Sequence, residues 1–431
     1  MTPGRASAIR RSFDKTFPRA DLGDRFRAHA AIKRELRRID PRALLLSLAL
    51  GGLDGVSRTL ESMRRLYERL AGKTIARSSF HDRLNEGLAK VLRELVLEAI
   101  DAMPASTAAT RMRIVGLRSI LIADSTTIRL HPALAQAFPG TWSNHSPASV
   151  KVTVVQDLVG RVPRRLSLGP GSRHDLHQLE VDRFYRGRLL IADRAFTACW
   201  KLLDLEAHGG FYVGRIRKNM SPIIEAVHRG LRAGVIGKRV HEVLGDSRGG
   251  ELDVDVRIEF QDRSSGKIVK RFHRCRLVGV RESGAFRMWI TNLTREQATA
   301  SEVSALYAAR WEIEIFFREL KTIWRADQIP TSGEAATRCL LYASMLTVLF
   351  SRELRHALFE RDARERVPLE RWARLVRCLL VELAALITSR AGRSKRELHR
   401  RLDWLRRESF DPNRRRRPAH LRLADVVRDH A

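Results

Sequence analysis

Tyr307–Lys321 reads YAARWEIEIFFRELK. On a helix at about 100° per residue, Ile313, Phe316, Phe317, Leu320, Ile323 and Trp324 collect on one side and face a core. Tyr307, Arg310, Glu314 and Lys321, spaced by three, four and seven, fall within about 60° of one another on another side. One carboxylate therefore stands in a stripe with two cations and a phenol. Glu312 and Glu319 project away from that stripe. A solvated face carrying Arg310–Glu314 and Glu314–Arg318 pairs would have the same pattern, so the stripe becomes a site only if acidic partners arise elsewhere.

Two such partners exist. Ser119–Ala123 (SILIA) is a short apolar run ending in Asp124, and Arg188–Ala192 (RLLIA) is a second ending in Asp193. Ligand sites of α/β sheets gather at strand ends, although an Asp in that place also serves as a turn former or helix cap. With Glu314 the set is three carboxylates, the donor type that Mg²⁺ or Mn²⁺ prefers. Two such ions can clamp the attacking and leaving oxygens of an in-line displacement at phosphorus.

The surrounding pattern supplies a scaffold. Residues up to about Met103 read as helical, with Phe26–Ile39, Pro41–Leu50, Val56–Ala71 and Ser78–Ala102 as segments. The last two, joined through Gly72-Lys73-Thr74, resemble a helix-turn-helix with Arg77, Ser78, Ser79, His81 and Arg83 on the reading helix. Pro104–Ala109 reads as a linker. Beyond it, the runs Ser149–Asp157, Val162–Leu168 and Phe211–Ile216 alternate with expected helices at His177–Tyr185 and Phe196–His208, which indicates an α/β layer with a buried sheet. Strict alternation through Leu252–Phe260, a turn at Arg263–Gly266, and the runs Ile268–Val280 and Phe286–Leu293 mark an antiparallel β insertion. Helices return at Ala335–Leu358 and Leu369–Thr388. The expected division is a helical DNA-binding region (1–110), a core in two parts (111–216 and 301–350) around the insertion (217–300), and a basic helical region (351–431).

Composition narrows the function. Among 431 residues, 80 Lys and Arg stand against 49 Asp and Glu, a formal net charge of +31, and such a chain attracts polyanions, nucleic acid first. The tail from residue 390 holds 14 Lys and Arg against 6 Asp and Glu. Cys199, Cys275, Cys339 and Cys378 form no CxxC pair, which argues for reduced thiols and against a zinc finger. His174 and His177 bracket Asp175 without a supporting cluster, so capping or packing is the expected role. No apolar run approaches membrane-spanning length, the N-terminus lacks a signal-peptide core, and no GxxxxGK phosphate loop indicates a nucleotide cofactor. A cytoplasmic location is expected.

The order Asp124-Ser-Thr after one strand, Asp193-Arg-Ala-Phe after a second, and Tyr-x2-Arg-x3-Glu-x6-Lys on a helix resembles the IS4-type DDE transposases of insertion sequences. Supporting stretches are Lys151–Asp157 with Gly160-x-x-Pro163, Gly171–Asp175, the Arg215 region and Thr291-Asn292-Leu293, together about residues 115–350. The resemblance implies an RNase H-like mixed sheet with flanking helices, interrupted by the β insertion before the Glu-bearing helix. It implies metal-dependent DNA cleavage and 3′-hydroxyl strand transfer, with Asp124, Asp193 and Glu314 as catalytic ligands of two Mg²⁺ ions (Mn²⁺ as substitute). Tyr307, Arg310, Lys321 and Arg215 would contact phosphates of the transposon ends, and Trp289 would stack a flipped base or else pack in the sheet. Transposon ends and target DNA would be the partners, a homodimer would pair two ends, and the setting would be the prokaryotic nucleoid. An inactive or domesticated DNA-binding relative, and a metal-dependent nuclease, remain the alternatives.

Overall fold

The structure, a computed structural model, describes residues 3–32, 39–53, 58–103, 117–141, 146–247, 249–262, 268–360, 363–364, 366–388 and 392–411. The expected linker at 104–109, the turn at 263–266, part of the 26–39 segment and the 414–417 arginine run lie outside them.

A single nine-stranded sheet organises the chain. Its strands are β1 (Ser119–Arg129), β2 (Ser149–Asp157), β3 (Pro163–Pro170), β4 (Arg188–Ala192), β5 (Phe211–Arg215), β6 (Ile223–Arg229), β7 (Glu251–Asp262), β8 (Val269–Glu282) and β9 (Ala285–Thr291). They lie in the order β3-β2-β1-β4-β5-β9-β8-β7-β6. β1, β4 and β5 run parallel, while β2 is antiparallel to β1 and β3. This is the mixed sheet with flanking helices expected of an RNase H-like fold. The antiparallel strands β6–β9 continue it, because β9 pairs with β5 through Val213↔Thr291 and Arg215↔Trp289. The alternation of Leu252, Val254, Val256 and Ile258 places them on a fully buried face of β7.

Both faces of the central strands are covered, which explains their unbroken apolar runs; all of β2 is buried. Along β1, Ile120 and Ile122 enter one hydrophobic core while Leu121 and Ala123 enter the other. The first core contains the Glu314-bearing segment and both terminal helical regions; the second contains helix Cys199–Ala207 and the inner face of β7. Helix Glu334–Leu358 packs on helices Glu86–Ala102, Pro3–Thr16 and Pro41–Leu50. It runs through residue 350, so the two ends of the chain share one bundle. Among the described residues, no helix is long and apolar enough to cross a membrane.

Several elements differ from expectation. β1 does not stop at Ala123 but continues to Arg129, because β2 keeps pairing with it after β4 has ended. The expected helix at 177–185 is only a turn at Asp175–Gln178 and a 3₁₀ turn at Arg183–Tyr185. Ser78–Ala102 is split into Arg77–His81 and Glu86–Ala102, since Asn85 caps the latter by accepting from the Leu88 N–H at 3.0 Å. The Tyr307–Lys321 helix is not uniform either. Ala300–Ala308 is α-helical, Ala309–Trp311 is 3₁₀, Glu312–Arg318 is α-helical, and Glu319–Ile323 is π-helical.

Buried ion pairs anchor this irregular segment. Glu312 accepts from Arg161 at 3.1 Å. Glu319 accepts from Arg352 of helix Glu334–Leu358 at 2.6 Å and from Trp324 Nε1 at 3.0 Å. Both acids are buried, which explains their absence from the Glu314 stripe. Glu319→Leu would leave Arg352 charged and unpaired in the core, and urea unfolding should show a loss of about 3–5 kcal/mol. The pair replacement Glu319→Leu/Arg352→Met should recover most of it.

Candidate active site

The parallel register of β1 and β4 ends at Ala123↔Ala192. Asp124 and Asp193 are the next residue on each, so adjacent strands deliver two carboxylates to one end of the sheet. By strand alternation Asp124 shares the face of Ile122, against which the Ile313/Phe316 side of the helical segment packs. Fold and site are thus set by the same register.

Asp193 opens a turn, its carbonyl accepting from the Phe196 N–H at 2.9 Å, but its carboxylate caps no helix. The following helix, Cys199–Ala207, begins at Ala198 without a side-chain cap. The Asp193 carboxylate instead accepts from the Tyr307 hydroxyl at 2.9 Å. Its turn is held by main-chain contacts: Thr197 Oγ1 donates to the Asp193 carbonyl at 3.0 Å, and Arg217 donates to the carbonyls of Arg194 (2.9 Å) and Ala195 (2.7 Å). A Cβ at Gly214 of β5 would lie 2.8 Å from Thr197 Oγ1, so this neighbour strand needs glycine there.

Arg310 joins the other two acids. Its Nη1 donates to Asp124 Oδ2 at 3.0 Å and its Nη2 to Glu314 Oε1 at 2.9 Å. The Ser125 N–H donates to Asp124 Oδ1 at 2.8 Å. Lys321 Nζ donates to the Thr127 carbonyl of β1 at 2.8 Å, farther along the same strand. The stripe Tyr307, Arg310, Glu314 and Lys321 therefore lies against the carboxylate end of β1 and β4, despite the changes of helical pitch.

Burial drives the electrostatics. It pushes the Asp124 carboxyl up from 3.8 to about 6; Asp193 and Glu314 push the same way, while the Ser125 N–H and Arg310 oppose. Burial works against the Arg310 charge, but Asp193 and Asp124 outweigh it and hold the guanidinium protonated above its ordinary range. Burial, then the negative charge of Asp193, raises Tyr307, which stays a neutral donor. Burial lowers Lys321.

Two other expected residues stand differently. Arg215 ends β5, near enough to Tyr307 to influence its ionisation. Trp289 is only 3% exposed and its ring packs 5.8 Å from Tyr307. In this structure its ring is covered by that packing. His174 caps the Asp175–Gln178 turn, accepting from the Leu176 N–H. Arg217 and Thr197 were missed by sequence reasoning, since main-chain acceptors leave no spacing signature.

The Transposase DDE domain family matches residues 116–350, more than half of the chain. The chain belongs to this family. It is similar to the transposase for insertion sequence element IS1151 of Clostridium perfringens, with 21% identity over 70% of this chain and 70% of that one. The transposase for IS231F of Bacillus thuringiensis subsp. israelensis is 21% identical over 54% of this chain and 55% of its own length. A putative transposase, y4zB of Sinorhizobium fredii (strain NBRC 101917 / NGR234), is 27% identical over 61% and 67%. A piggyBac transposase synaptic complex with hairpin DNA aligns over 94% of this chain and 86% of that one, with 12% identity and a TM-score of 0.43. The two Asp and one Glu singled out above all lie within the matched region.

The raised Asp124 value has a signed consequence for the metal-free transposase. Between about pH 4 and 6 the folded chain holds a proton that the unfolded chain has released. The associated stability is complete below about pH 4 and is lost as pH rises through about 6. The melting temperature of the wild type, measured against Asp124→Asn, should therefore fall from pH 4 to pH 7. A flat difference across that range would contradict the buried, acid-crowded setting of Asp124.

Proposed function

We propose that this transposase cuts DNA at transposon ends and joins the 3′-hydroxyls to target DNA, with Asp124, Asp193 and Glu314 as ligands for two divalent cations, Mg²⁺ or Mn²⁺. The observation that carries this reading is the linked set Asp193–Tyr307 and Asp124–Arg310–Glu314, which brings three acids from three separate elements to one face.

The donor chemistry fits hard cations, which take carboxylate oxygens and retain water. Among the described residues, no three His, Cys, Asp or Glu side chains form a group able to hold one ion. Asp124, Asp193 and Glu314 would hold the cations together with water. Bound cations would supply Lewis acidity toward the attacking and leaving oxygens at phosphorus.

The protein's own groups do the rest. Asp124, raised to about 6, is largely ionised at neutral pH, and approaching positive charge would favour that form further. Arg310 must then release at least one carboxylate, and its planar fork suits a DNA phosphate of the end being cut. Lys321 spends one donor on Thr127 and has two left for phosphate. Tyr307 steadies Asp193 while Arg215 adds positive charge nearby. Pairing two ends calls for a dimer of the chain.

Purified protein with DNA carrying the element's ends and Mg²⁺ should give nicked and joined products. Asp124→Ala, Asp193→Ala and Glu314→Gln should each lose several kcal/mol of charge stabilisation, at least about a thousandfold in rate, while retaining DNA binding. Cleavage at the wild-type rate in any one of them would remove that residue from the set. Cleavage without joined products would instead describe a nuclease. For Lys321→Ala, the slope of log affinity against log salt should flatten by about 1; an unchanged slope would exclude a phosphate contact.

A further inference from the structure

The other end of the same sheet carries a charge cluster that the proposed chemistry does not use. Arg188 opens β4 and pairs in register with Ser119, which Arg118 immediately precedes. In register Arg165 of β3 is level with Ala123 of β1, but its side chain reaches toward Arg188, the two guanidinium groups sharing the Phe184 ring. Arg183 and Arg186 lie in the turn leading into β4. At about 3.3 Å per residue, the length of β4 separates this end from Asp193 by roughly 17 Å.

These cations are gathered rather than scattered. The guanidinium of Arg165 lies 4.4 Å from the centre of the Phe184 ring, and that of Arg188 lies 4.3 Å from the same ring. Asp182 accepts twice from Arg165 at 2.6 Å. Burial, then Arg118, Arg164 and Arg165, lowers the Arg188 pKa, so the group repels itself. Beside it, a cavity of about 550 Å³ is lined by Arg164, Arg165, Tyr185 and Gln178. The Tyr185 hydroxyl and Gln178 Nε2 are buried there with no hydrogen-bond partner among the described residues. Cations that repel one another, next to unpaired polar groups, match the demands of an anion with several acceptor oxygens.

We propose that this arginine end of the sheet binds backbone phosphates of duplex DNA outside the step being cut. The proposal rests on the reading of the protein as a DNA-acting transposase. DNA held here is positioned, not cleaved, since backbone contacts set register and orientation without reading sequence.

Arg118, Arg183 and Arg186 are exposed, which makes them suitable for charge reversal. The test measures binding of the full chain to a random-sequence duplex across a salt series. Arg118→Glu/Arg183→Glu/Arg186→Glu should weaken binding at least about tenfold near physiological salt and flatten the salt slope by about 3. The triple Lys variant should keep most of the wild-type slope, because point charges still meet phosphate. Arg229→Glu/Arg274→Glu/Arg287→Glu, exposed on the β insertion, makes the same charge change elsewhere. Equal weakening by that control, or no effect of the first triple, would overturn the proposal while leaving DNA binding by the wild type intact. Wild-type protein with no salt-dependent duplex binding would instead defeat the DNA-acting reading and this site with it. Thermal melts matching wild type establish that the variants are folded, with the corresponding Gln triple as the milder substitute.

Discussion

One guanidinium holds the sheet and the helical segment at a fixed spacing. Arg310 contacts Asp124 of β1 and Glu314 of its own segment, both at about 3 Å. Three acids at the end of two short parallel strands would repel one another, and burial strengthens that repulsion. The upward displacement of Asp124 comes first from its burial, with the charges of Asp193 and Glu314 adding to it. Arg310 and the Tyr307 hydroxyl offset the repulsion, so the metal-free site can stay assembled. In the proposed reading, cations would take over the charge compensation that Arg310 supplies here.

The rigidity of that arrangement comes from farther away. Glu319 and Arg352 tie the π-helical turn to the long helix Glu334–Leu358, while Arg161 ties Glu312 to the loop after β2. Arg58, buried near the N-terminal end, donates to Ser344 of the long helix at 2.8 Å and to the Leu340 carbonyl at 3.3 Å. It also donates to the carbonyl of Arg325, which has left-handed backbone just beyond the π turn. Both ends of the chain therefore brace the segment bearing Glu314. π turns recur at functional sites, and this one carries Lys321, which reaches over β1.

Much of this was legible in the residues. Periodicity identified the buried face Ile313, Phe316, Phe317 and Leu320 correctly, and the apolar runs before Asp124 and Asp193 marked adjacent parallel strands. What stayed hidden depended on partners. β1 outlasts its apolar run because β2 supplies hydrogen bonds past Asp124. The helix expected at 177–185 fails to form as such, its apolar residues being drawn into sheet-side packing at Leu179 and Tyr185. Trp289, for which stacking and sheet packing were both open, is covered because the helical segment at Tyr307 lies against its face of β9. Changes of helical pitch within 300–323 also leave no mark in spacing, since the pinning residues Arg161 and Arg352 lie far off in sequence.

The central claim is that Arg310 holds, in the absence of metal, acids that bind divalent cations when the site is loaded. Crystals soaked in Mn²⁺ and measured at its absorption edge test it most directly, because anomalous scattering locates the ion independently of the protein density. Manganese peaks are expected within about 2.2 Å of Asp124 and of at least one of Asp193 and Glu314, with Arg310 withdrawn from one or both of its carboxylates. Full occupancy of manganese elsewhere, with Arg310 still bridging Asp124 and Glu314, would contradict it.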